Sequence, residues 1–421
     1  MNNLITKIGL VFKDSLLRKR VLFVGAILIV FRLLAAIPIP GIDMLKLRSM
    51  FENNQFLGML NLFSGGGMDN LSIVMLGVGP YITGSIIMQL LTMMSPKLKA
   101  LYHEEGDLGR KKFSQYSRLL TIPLALLQAF GFIILLQRQA VLGSLDTFHL
   151  IVNVLVISGG SILLMWMGEL MTEFGIGNGV SMLIFAGIIS RIPTTLSQII
   201  AAYDPSQIPM ILAFVIAGVI IIAGVVYVSE AERPIPVTYA KRVRGGKVFG
   251  GVSTYLPLRV NQAGVIPIIF ALSILLFPQM ILNFMQTVPA LSAFAKFGLS
   301  IVGNAWIYSV FYFILVFLFT YFYTAVTFDP DTISTNLQKS GAFIPGVRPG
   351  QPTSEYLSKV LVRITLVSAL FLGIIAVLPL VMQAITNESS LAIGGTALLI
   401  VVSVVMDLVK KVDAQISMRE Y

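Results

Sequence analysis

Ten long apolar stretches constrain the fold of this chain more than any other feature of its sequence. Each is close to the roughly 17 to 25 residues that a tilted helix needs to cross about 30 Å of hydrocarbon. Of the 421 residues, 56% are hydrophobic and 12% are charged, whereas soluble domains carry about 25% charged residues. The sequence therefore predicts an all-α integral membrane protein with ten transmembrane helices, called spans one to ten below, at roughly 20–37, 72–94, 117–137, 150–171, 181–200, 209–228, 262–283, 305–327, 360–385 and 391–409.

The basic residues, 30 Lys and Arg against 20 Asp and Glu, decide the orientation of the spans. With the N-terminus in the cytoplasm, most of them fall in the N-terminal segment, in the loops after spans two, six and eight, and in the C-terminal tail. The positive-inside rule then places both termini in the cytoplasm. The net charge of +10 belongs to that face. It serves either topology signalling and contact with anionic lipids, or the docking of a polyanionic or acidic partner such as ribosomal RNA.

Several classes of chemistry are excluded by composition. Cysteine does not occur, which removes disulfides, haem attachment and thiolate metal sites, and two histidines are too few for a metal cluster. The phosphate-binding pattern GxxxxGK[ST] is also missing, so we expect no nucleotide hydrolysis by this chain. The sequence predicts a protein that is not an enzyme and that carries no cofactor.

The stretch from Asn61 to Met94 is a hydrophobic segment that is broken near its start. Three consecutive glycines, residues 65–67, each cost a helix roughly 0.8 to 1 kcal/mol relative to alanine, and Asp69 and Asn70 add polar groups. This pattern predicts a short half-helix, a hinge, and a span from about Ser72. Broken helices at membrane depth occur where protein or a water-filled cavity lines them. The half-helix is therefore interpreted as a movable stopper in a cavity.

Span two is echoed in span seven. The run GVGPYI, residues 77–82, aligns with GVIPII, residues 264–269, and each lies in the second span of a set of five. Repeats of five spans must be inverted relative to each other, and Gly/Pro-interrupted spans in matched positions indicate the transport pathway. The sequence thus divides into an N-terminal half, residues 1–200, and a C-terminal half, residues 201–421.

The residues that line the pathway distinguish transport mechanisms. Coupled carriers need ionisable groups near the midplane, but the ionisable residues within the spans, Arg32, Glu169 and Asp407, lie near span ends. The interior candidates are aliphatic instead. Val78 and Ile82 are one helical turn apart, and Ile269 is the repeat counterpart of Ile82. Converging branched side chains would form a constriction that excludes water and ions by dewetting.

Polar residues on the two repeat-matched spans indicate how the pathway could open sideways. Gln89 lies on span two, and Asn261 and Gln262 lie at the start of span seven. We expect them to pair across the interface between these spans at about 0.6 kcal/mol each. An interface held so weakly could open into lipid.

Two long cytoplasmic loops carry turn patterns and positive charge. The first, residues 229–259, has the alternation of a β-hairpin around Gly245 and Gly246, with a basic tip. The second, residues 328–359, places Arg348 between two Pro-Gly pairs. Two such turns can present one guanidinium rigidly to a carboxylate or phosphate. A solvated loop arginine is the alternative, and composition alone favours it.

Eight passages resemble the SecY family, whose members are the central channel subunits of the bacterial Sec protein translocase. They are IPIPGID (37–43), NLFSGG (61–66), LGVGPYITGSIIMQLL (76–91), LMWMGELMTEFGIGNGVS (164–181), YAKRV (239–243), LPLRVNQAGVIPIIFA (256–271), KSGAFIPGVRPG (339–350) and GGTALLIVVSVVMD (394–407). The resemblance extends over essentially the whole chain. It implies ten transmembrane helices in two inverted five-helix halves around an hourglass pore. It also implies a plug after span one and a lateral gate between spans two and seven, flanked by three and eight.

The resemblance assigns roles to individual residues. The plug is expected at Asn61, Leu62, Phe63, Ser64, Gly65, Gly66, Gly67, Met68, Asp69, Asn70, Leu71 and Ser72. The pore ring is expected at Val78, Ile82, Val180, Ile184, Ile269 and Ile400. The lateral gate is expected at Ile86, Gln89, Asn261, Gln262 and Ile268. Docking of the motor ATPase SecA or the ribosome is expected at Lys241, Arg242, Arg244, Lys247 and Arg348, which reverses the composition-based interpretation of Arg348.

The expected function is a passive channel in the bacterial plasma (inner) membrane. It would translocate unfolded polypeptides and insert transmembrane helices laterally, and it would open when a signal peptide or nascent chain enters the gate. The resemblance implies the partner subunits SecE and SecG, SecA, the ribosome and membrane lipids. The alternative is a secondary transporter of a small solute, which shares inverted repeats but needs a polar midplane site. A receptor or scaffold would not account for the triple-glycine half-helix.

Overall fold

Helices form most of the computed structural model, which describes residues 14–39, 64, 67–68, 71–103, 105–138, 142–143, 146–201, 208–239, 242–244, 247–249, 253–285, 291–386 and 389–417. Its helices are α1 (Ser15–Ala35), α2 (Gly79–Met94), α3 (Pro96–His103), α4 (Gly106–Arg138), α5 (Thr147–Phe174), α6 (Gly179–Ala201), α7 (Ile208–Glu230), α8 (Ile266–Met285), α9 (Ser292–Val302), α10 (Ala305–Thr327), α11 (Pro330–Lys339), α12 (Gln351–Thr386) and α13 (Ser389–Ser417). Its strands are β1 (Glu232–Tyr239), β2 (Arg242–Arg244), β3 (Lys247–Phe249), β4 (Ser253–Arg259) and β5 (Ala342–Phe343).

Every predicted apolar stretch contains a helix: spans one to ten correspond to α1, α2, α4, α5, α6, α7, α8, α10, α12 and α13. Within the described residues, the segments 106–137, 147–174, 306–339 and 351–381 are long and apolar enough to cross a membrane. Large apolar side chains are exposed on helix surfaces, such as Leu212 and Ile220 on α7, which is the surface expected to face lipid. The prediction of an all-α integral membrane protein is confirmed, and the count of ten crossings stays a prediction.

Most contacts between the helices follow the same order in the first five spans and in the last five, and α1 and α2 additionally contact α5. In the first set, α4 contacts α2 and α5, α5 contacts α6, and α1 contacts α6. In the second set, α10 contacts α8 and α12, α12 contacts α13, and α7 contacts α13. The two sets meet where α8 contacts α2 and α4, and where α13 contacts α6. This arrangement agrees with the expected halves, whose boundary at residue 200 stays a prediction.

The predicted hairpin in the first long loop is confirmed as the pair of β2 and β3, and the same loop contributes two further strands to a separate three-stranded sheet. β1 pairs antiparallel with β4 from Glu232↔Arg259 to Thr238↔Ser253, and its other edge pairs with β5 from the second loop. β2 and β3 form a separate pair that ends at Arg244↔Lys247, so the connection consists of Gly245 and Gly246, which lie outside the described residues. The strand order β4-β1-β5 joins both long loops at one end of the bundle.

The second span begins later than predicted. The sequence indicated a span from about Ser72, but residues 71–78 form successive turns and the regular helix begins at Gly79. The physical reason is Gly77, whose φ of 58° is left-handed and cannot continue an α-helix. Span seven shows the same delay, since α8 begins at Ile266 and not at residue 262.

Candidate functional site

The predicted ring residues lie in one central hydrophobic cluster. Val78, Ile82, Ile184, Ile269 and Ile400 belong to it, each with at most 8% of its surface exposed, and Val180 packs against it. They come from the start of α2 and from α6, α8 and α13, so both halves contribute. The amide of Ile82 donates a 3.0 Å hydrogen bond to the carbonyl of Val78, which places these residues one helical turn apart as predicted. Branched aliphatic side chains therefore meet where the two halves meet.

Two of the described plug residues belong to a second hydrophobic cluster. Met68 and Leu71 are buried there with Met75, against Phe132 of α4 and Ile157 of α5. Leu71 is fully buried and has a φ of 42°, which is unusual for a residue with a β-carbon. The plug residues that lie outside the described residues are Asn61, Leu62, Phe63, Gly65, Gly66, Asp69 and Asn70.

Backbone hydrogen bonds hold the end of the plug segment to the chain that follows α1. Ser72 forms an isolated antiparallel bridge with Pro38. The amide of Ile39 donates to the carbonyl of Leu71 at 3.0 Å, and the amide of Ile73 donates to the carbonyl of Ile37 at 3.0 Å. The segment is thus fastened at its C-terminal end, next to the first turn of α2.

The predicted gate helices α2 and α8 are in contact. Ile86 and Ile268 are buried in the central cluster, with 2% and 0% of their surfaces exposed. The interface between these helices is therefore apolar at both residues. It is continuous with the ring, because all the ring residues named above share this cluster or pack against it.

The predicted polar pairing across this interface is wrong for Asn261. Its amide nitrogen donates to the carbonyl of Gly264 at 3.3 Å, and its Oδ1 accepts from the hydroxyl of Ser368 on α12 at 3.4 Å. Gln89 lies with its Oε1 buried and without a hydrogen-bond partner among the described residues. Gln262 is half-buried beside Asn261. The physical reason is that α8 starts only at Ile266, so Asn261 precedes the helix and bonds within the turn that leads into it.

A pocket of about 460 Å³ opens above the ring. Ile82, Ile184 and Ile269 line it together with Gln89 and Tyr323. Tyr323 lies in the last turns of α10, which is followed by α11 and then by β5, so the pocket lies toward the end of the bundle that carries the sheet. The pocket thus brings polar residues such as Gln89 and Glu169 together with three of the predicted ring residues.

The three ionisable residues that the sequence analysis placed within the spans, Glu169, Asp407 and Arg32, are paired or lie at a helix end. Glu169 lines the pocket and accepts a 2.6 Å hydrogen bond from Arg118 Nε, so the two charges neutralise each other. Asp407 pairs with Lys411 one turn later at 2.8 Å. Arg32 is exposed in the last turn of α1, where the helix dipole favours a cation. These positions do not form the midplane site that a coupled carrier needs.

Arg348 is exposed on a loop whose backbone is fixed on both sides. Gly346 and Gly350 have φ values of 83° and 96°, as the two predicted Pro-Gly turns require. The hydroxyl of Thr353 donates to the carbonyl of Arg348 at 2.8 Å, and the hydroxyl of Ser334 donates to the carbonyl of Gly350 at 2.6 Å. The other docking residues are Arg242 and Arg244 on β2, Lys247 on β3, and Lys241, which lies outside the described residues.

Sequence reasoning missed two buried serines, Ser161 on α5 and Ser368 on α12. The hydroxyl of Ser161 donates to the carbonyl of Gly77 at 2.8 Å, and Ser368 reaches Gly264 through Asn261. Both contacts join residues that are far apart along the chain. The available signal was the pair of echoed glycines, because a left-handed turn leaves carbonyls that need partners.

Comparisons with known proteins were consistent with each other. The family model of SecY matches residues 72–409. The protein translocase subunit SecY of Mycobacterium bovis is 43% identical over 437 residues, covering 96% of this chain and 96% of the relative. The same subunit of Corynebacterium glutamicum is 42% identical over 432 residues, covering 97% of each.

Solved structures show the same fold at low sequence identity. One described as a protein-conducting channel has a TM-score of 0.64 at 20% identity and covers 93% of this chain and 91% of that chain. One on the plug domain of SecY, described as stabilising the closed state of the translocation channel and maintaining a membrane seal, has a TM-score of 0.63 at 19% identity with the same coverage. Sec61 in the canine ribosome-channel complex from the endoplasmic reticulum has a TM-score of 0.61 at 19% identity, again covering 93% and 91%.

Proposed function

The chain belongs to the SecY family of protein translocase subunits, and we propose that its ring, plug and gate control a channel for unfolded polypeptides in the plasma membrane. Protein translocation is its activity, because the relatives that match nearly its whole length are translocase subunits. Secondary transport of a small solute is not favoured, since Glu169 and Asp407 are paired and Arg32 lies at a helix end.

The observation that carries the proposal is the central cluster below the pocket. Five branched aliphatic side chains from both halves are buried in it, and three of them also line the pocket. A narrow aliphatic constriction expels water, and ions then face the full cost of dehydration. Such side chains make no specific bonds, so they can close around a polypeptide of any sequence. This is the property that a channel for diverse substrates requires.

The plug segment would form a second barrier. Its described residues pack against the first half alone, through α4, α5 and the chain after α1. A segment that is attached at one end and packed against one half can move out of the pore without disrupting contacts within the other half. We infer that residues 61–72 block the resting channel, in keeping with the seal attributed to the plug of a structural neighbour.

The interface of α2 and α8 would be the lateral gate. Ile86 and Ile268 make it apolar where it adjoins the ring, and apolar helices lose little when they exchange a helix contact for lipid. A signal peptide or nascent transmembrane helix presents the same kind of surface. It can therefore take the place of one gate helix against the other.

The sheet end of the bundle would receive the partners that drive translocation. The two loops carry Arg242, Arg244, Lys247 and Arg348, whose backbone carbonyl is held by Thr353, and cations of this kind suit phosphate or carboxylate groups. We assign this end to the cytoplasm, with both termini, and propose the ribosome and SecA as its partners. A structural neighbour is a ribosome-channel complex. SecE and SecG are proposed as companion subunits.

Site-specific crosslinking tests this function. Because the chain has no cysteine, Ile82→Cys and Ile269→Cys each introduce a single thiol in the ring. A preprotein stalled during transport and carrying a thiol-reactive crosslinker should react at both. Ile220→Cys is the matched control, since Ile220 lies on the outer surface of α7 with 65% of its surface exposed. Silence at both ring positions, or equal reaction at residue 220, would exclude this pathway.

A further inference from the structure

The two gate helices begin in the same unusual way. Gly77 and Gly264 both have left-handed backbones, with φ of 58° and 61°. Each lies two residues before the first residue of its helix, and each helix has proline as its second residue, Pro80 in α2 and Pro267 in α8. A left-handed glycine interrupts the helix and leaves its carbonyl outside the helical ladder. Each gate helix therefore starts at a potential pivot whose carbonyl needs a partner.

In the first half that partner is Ser161. Its hydroxyl is fully buried on α5 and donates to the carbonyl of Gly77 at 2.8 Å. The preceding residue, Gly160, lets the backbone of Ile73 lie directly against α5, because a β-carbon there would collide with the carbonyl of Ile73. Gly160 and Ser161 thus hold the turn that precedes α2 against α5, the first by close packing and the second by a hydrogen bond.

In the second half two consecutive hydrogen bonds connect a serine to the carbonyl of Gly264, and we call them the Ser368–Asn261 relay. The hydroxyl of Ser368, with 1% of its surface exposed on α12, donates to Asn261 Oδ1 at 3.4 Å. The amide of Asn261 then donates to the carbonyl of Gly264 at 3.3 Å. α5 and α12 are the fourth helical spans of their respective halves, so the two serines occupy corresponding places. The same turn is thus held by the same kind of residue in both halves.

We propose that Ser161 and the Ser368–Asn261 relay are positioning residues that restrain the two gate helices at their glycine pivots and so set how readily the gate opens. This rests on the proposed function of α2 and α8 as gate helices. We call Ser161 and the Ser368–Asn261 relay the two anchors. Each anchor joins the start of a gate helix to another helix of the same half. If the gate opens by rotation of α2 or α8 about its glycine, the hydrogen bond at that glycine must lengthen or break. A substitution that removes this hydrogen bond therefore favours the open state.

The anchors should differ in strength. The bond from Ser161 is short, direct and fully buried, whereas both bonds of the relay are long. A neutral hydrogen bond that is lost on opening changes the equilibrium by about two- to tenfold. Ser161→Ala should lie at the upper end of that range and Ser368→Ala at the lower end.

Open probability of the purified full-length chain in planar bilayers is the direct measurement. Ser161→Ala should raise it, and Ser161→Thr, which keeps the hydroxyl, should restore part of the closed population. Ser158→Ala is the matched control on the same helix, because Ser158 is buried and its hydroxyl has no hydrogen-bond partner among the described residues. It should leave the open probability unchanged. Export of a preprotein with a weakened signal peptide should improve with Ser161→Ala, which a merely damaged fold would not produce.

A double-mutant cycle tests the relay. Ser368→Ala and Asn261→Ala act on one chain of bonds, so their combined effect should not exceed the larger single effect, whereas Ser161→Ala and Ser368→Ala should multiply. Unchanged open probability in both serine variants would overturn the proposal and would mean that the halves move as rigid bodies. Removal of the plug is measured in parallel. If plug removal raises conductance while the serine variants do not, only the proposed role of the two anchors is refuted. If plug removal also leaves conductance unchanged, the proposed closure of the channel is refuted as well.

Discussion

Ile184 offers the most direct test that hydrophobic packing closes the ring. It lies on α6 with 1% of its surface exposed, within the central cluster and on the floor of the pocket. Ile184→Val removes one methylene-sized group and Ile184→Ala removes three. At about 0.8 kcal/mol for each buried group, these changes weaken the packing by about 0.8 and 2.4 kcal/mol. A residual cavity raises the second value toward the roughly 2 to 5 kcal/mol seen for buried isoleucine-to-alanine changes.

The expected effect on the channel follows from these energies. If opening the ring takes Ile184 out of the cluster, the open-to-closed ratio rises about fourfold for Ile184→Val and about fiftyfold for Ile184→Ala, since 1.4 kcal/mol is a factor of ten. Single-channel recording in planar bilayers measures this ratio. Both variants are needed, because a channel that is closed by other contacts would not show an open-to-closed ratio that rises from isoleucine to valine to alanine.

Ile364→Ala separates closure of the ring from stability of the fold. Ile364 is buried on α12, but it belongs to the cluster that packs under the sheet, together with Ile235 and Leu357. Its truncation should lower the melting temperature by an amount similar to Ile184→Ala and leave conductance unchanged. Equal conductance in Ile184→Ala and Ile364→Ala would refute the reasoning, whatever the melting temperatures.

Three further predictions concern the plug and the docking loop. Removal of residues 61–70 leaves the bridge between Ser72 and Pro38 in place, and it should raise ion leakage through reconstituted channels; unchanged leakage would exclude these residues from the seal. Arg348→Glu should abolish SecA-driven export with normal membrane insertion of the channel. Thr353→Val keeps the charge of Arg348 but removes the hydroxyl that holds its carbonyl at 2.8 Å, so SecA affinity should fall by about two- to tenfold, and an unaltered affinity would show that the loop needs no such support.

Helix positions and the hairpin could be predicted from the sequence because they depend on local patterns. Apolar length locates the spans, and the glycine pair at 245–246 fixes the two-residue connection between Arg244 and Lys247. The start of α2 was predicted too early, although the sequence held the necessary information. Proline is favoured in the first turn of a helix, where its missing N–H is not needed, so Pro80 indicated a helix that begins beside it.

The partners of Asn261 could not be predicted in the same way. Its contact with Ser368 spans 107 residues, and the ion pair of Arg118 and Glu169 spans 51. Such contacts depend on how the helices pack. The repeat of the span-two pattern in span seven was still informative, because it aligns Gly77 with Gly264, and the structure places both glycines in equivalent turns. The sequence located the pivots, and only the packing could reveal the serines that hold them.

The distribution of the hydrophobic clusters explains how such a channel could open without unfolding. Among the described residues, the plug-side cluster contains buried residues from positions 39–157 alone, and the sheet-side cluster contains residues from positions 235–364 alone. The central cluster is the one that joins both halves, and it contains the ring and the gate. A motion that separates the halves therefore disturbs the ring and the gate while each half keeps its own core. Because packed cores resist continuous deformation, concentrating the contacts between halves in this cluster confines the cost of opening to the residues that close the pore.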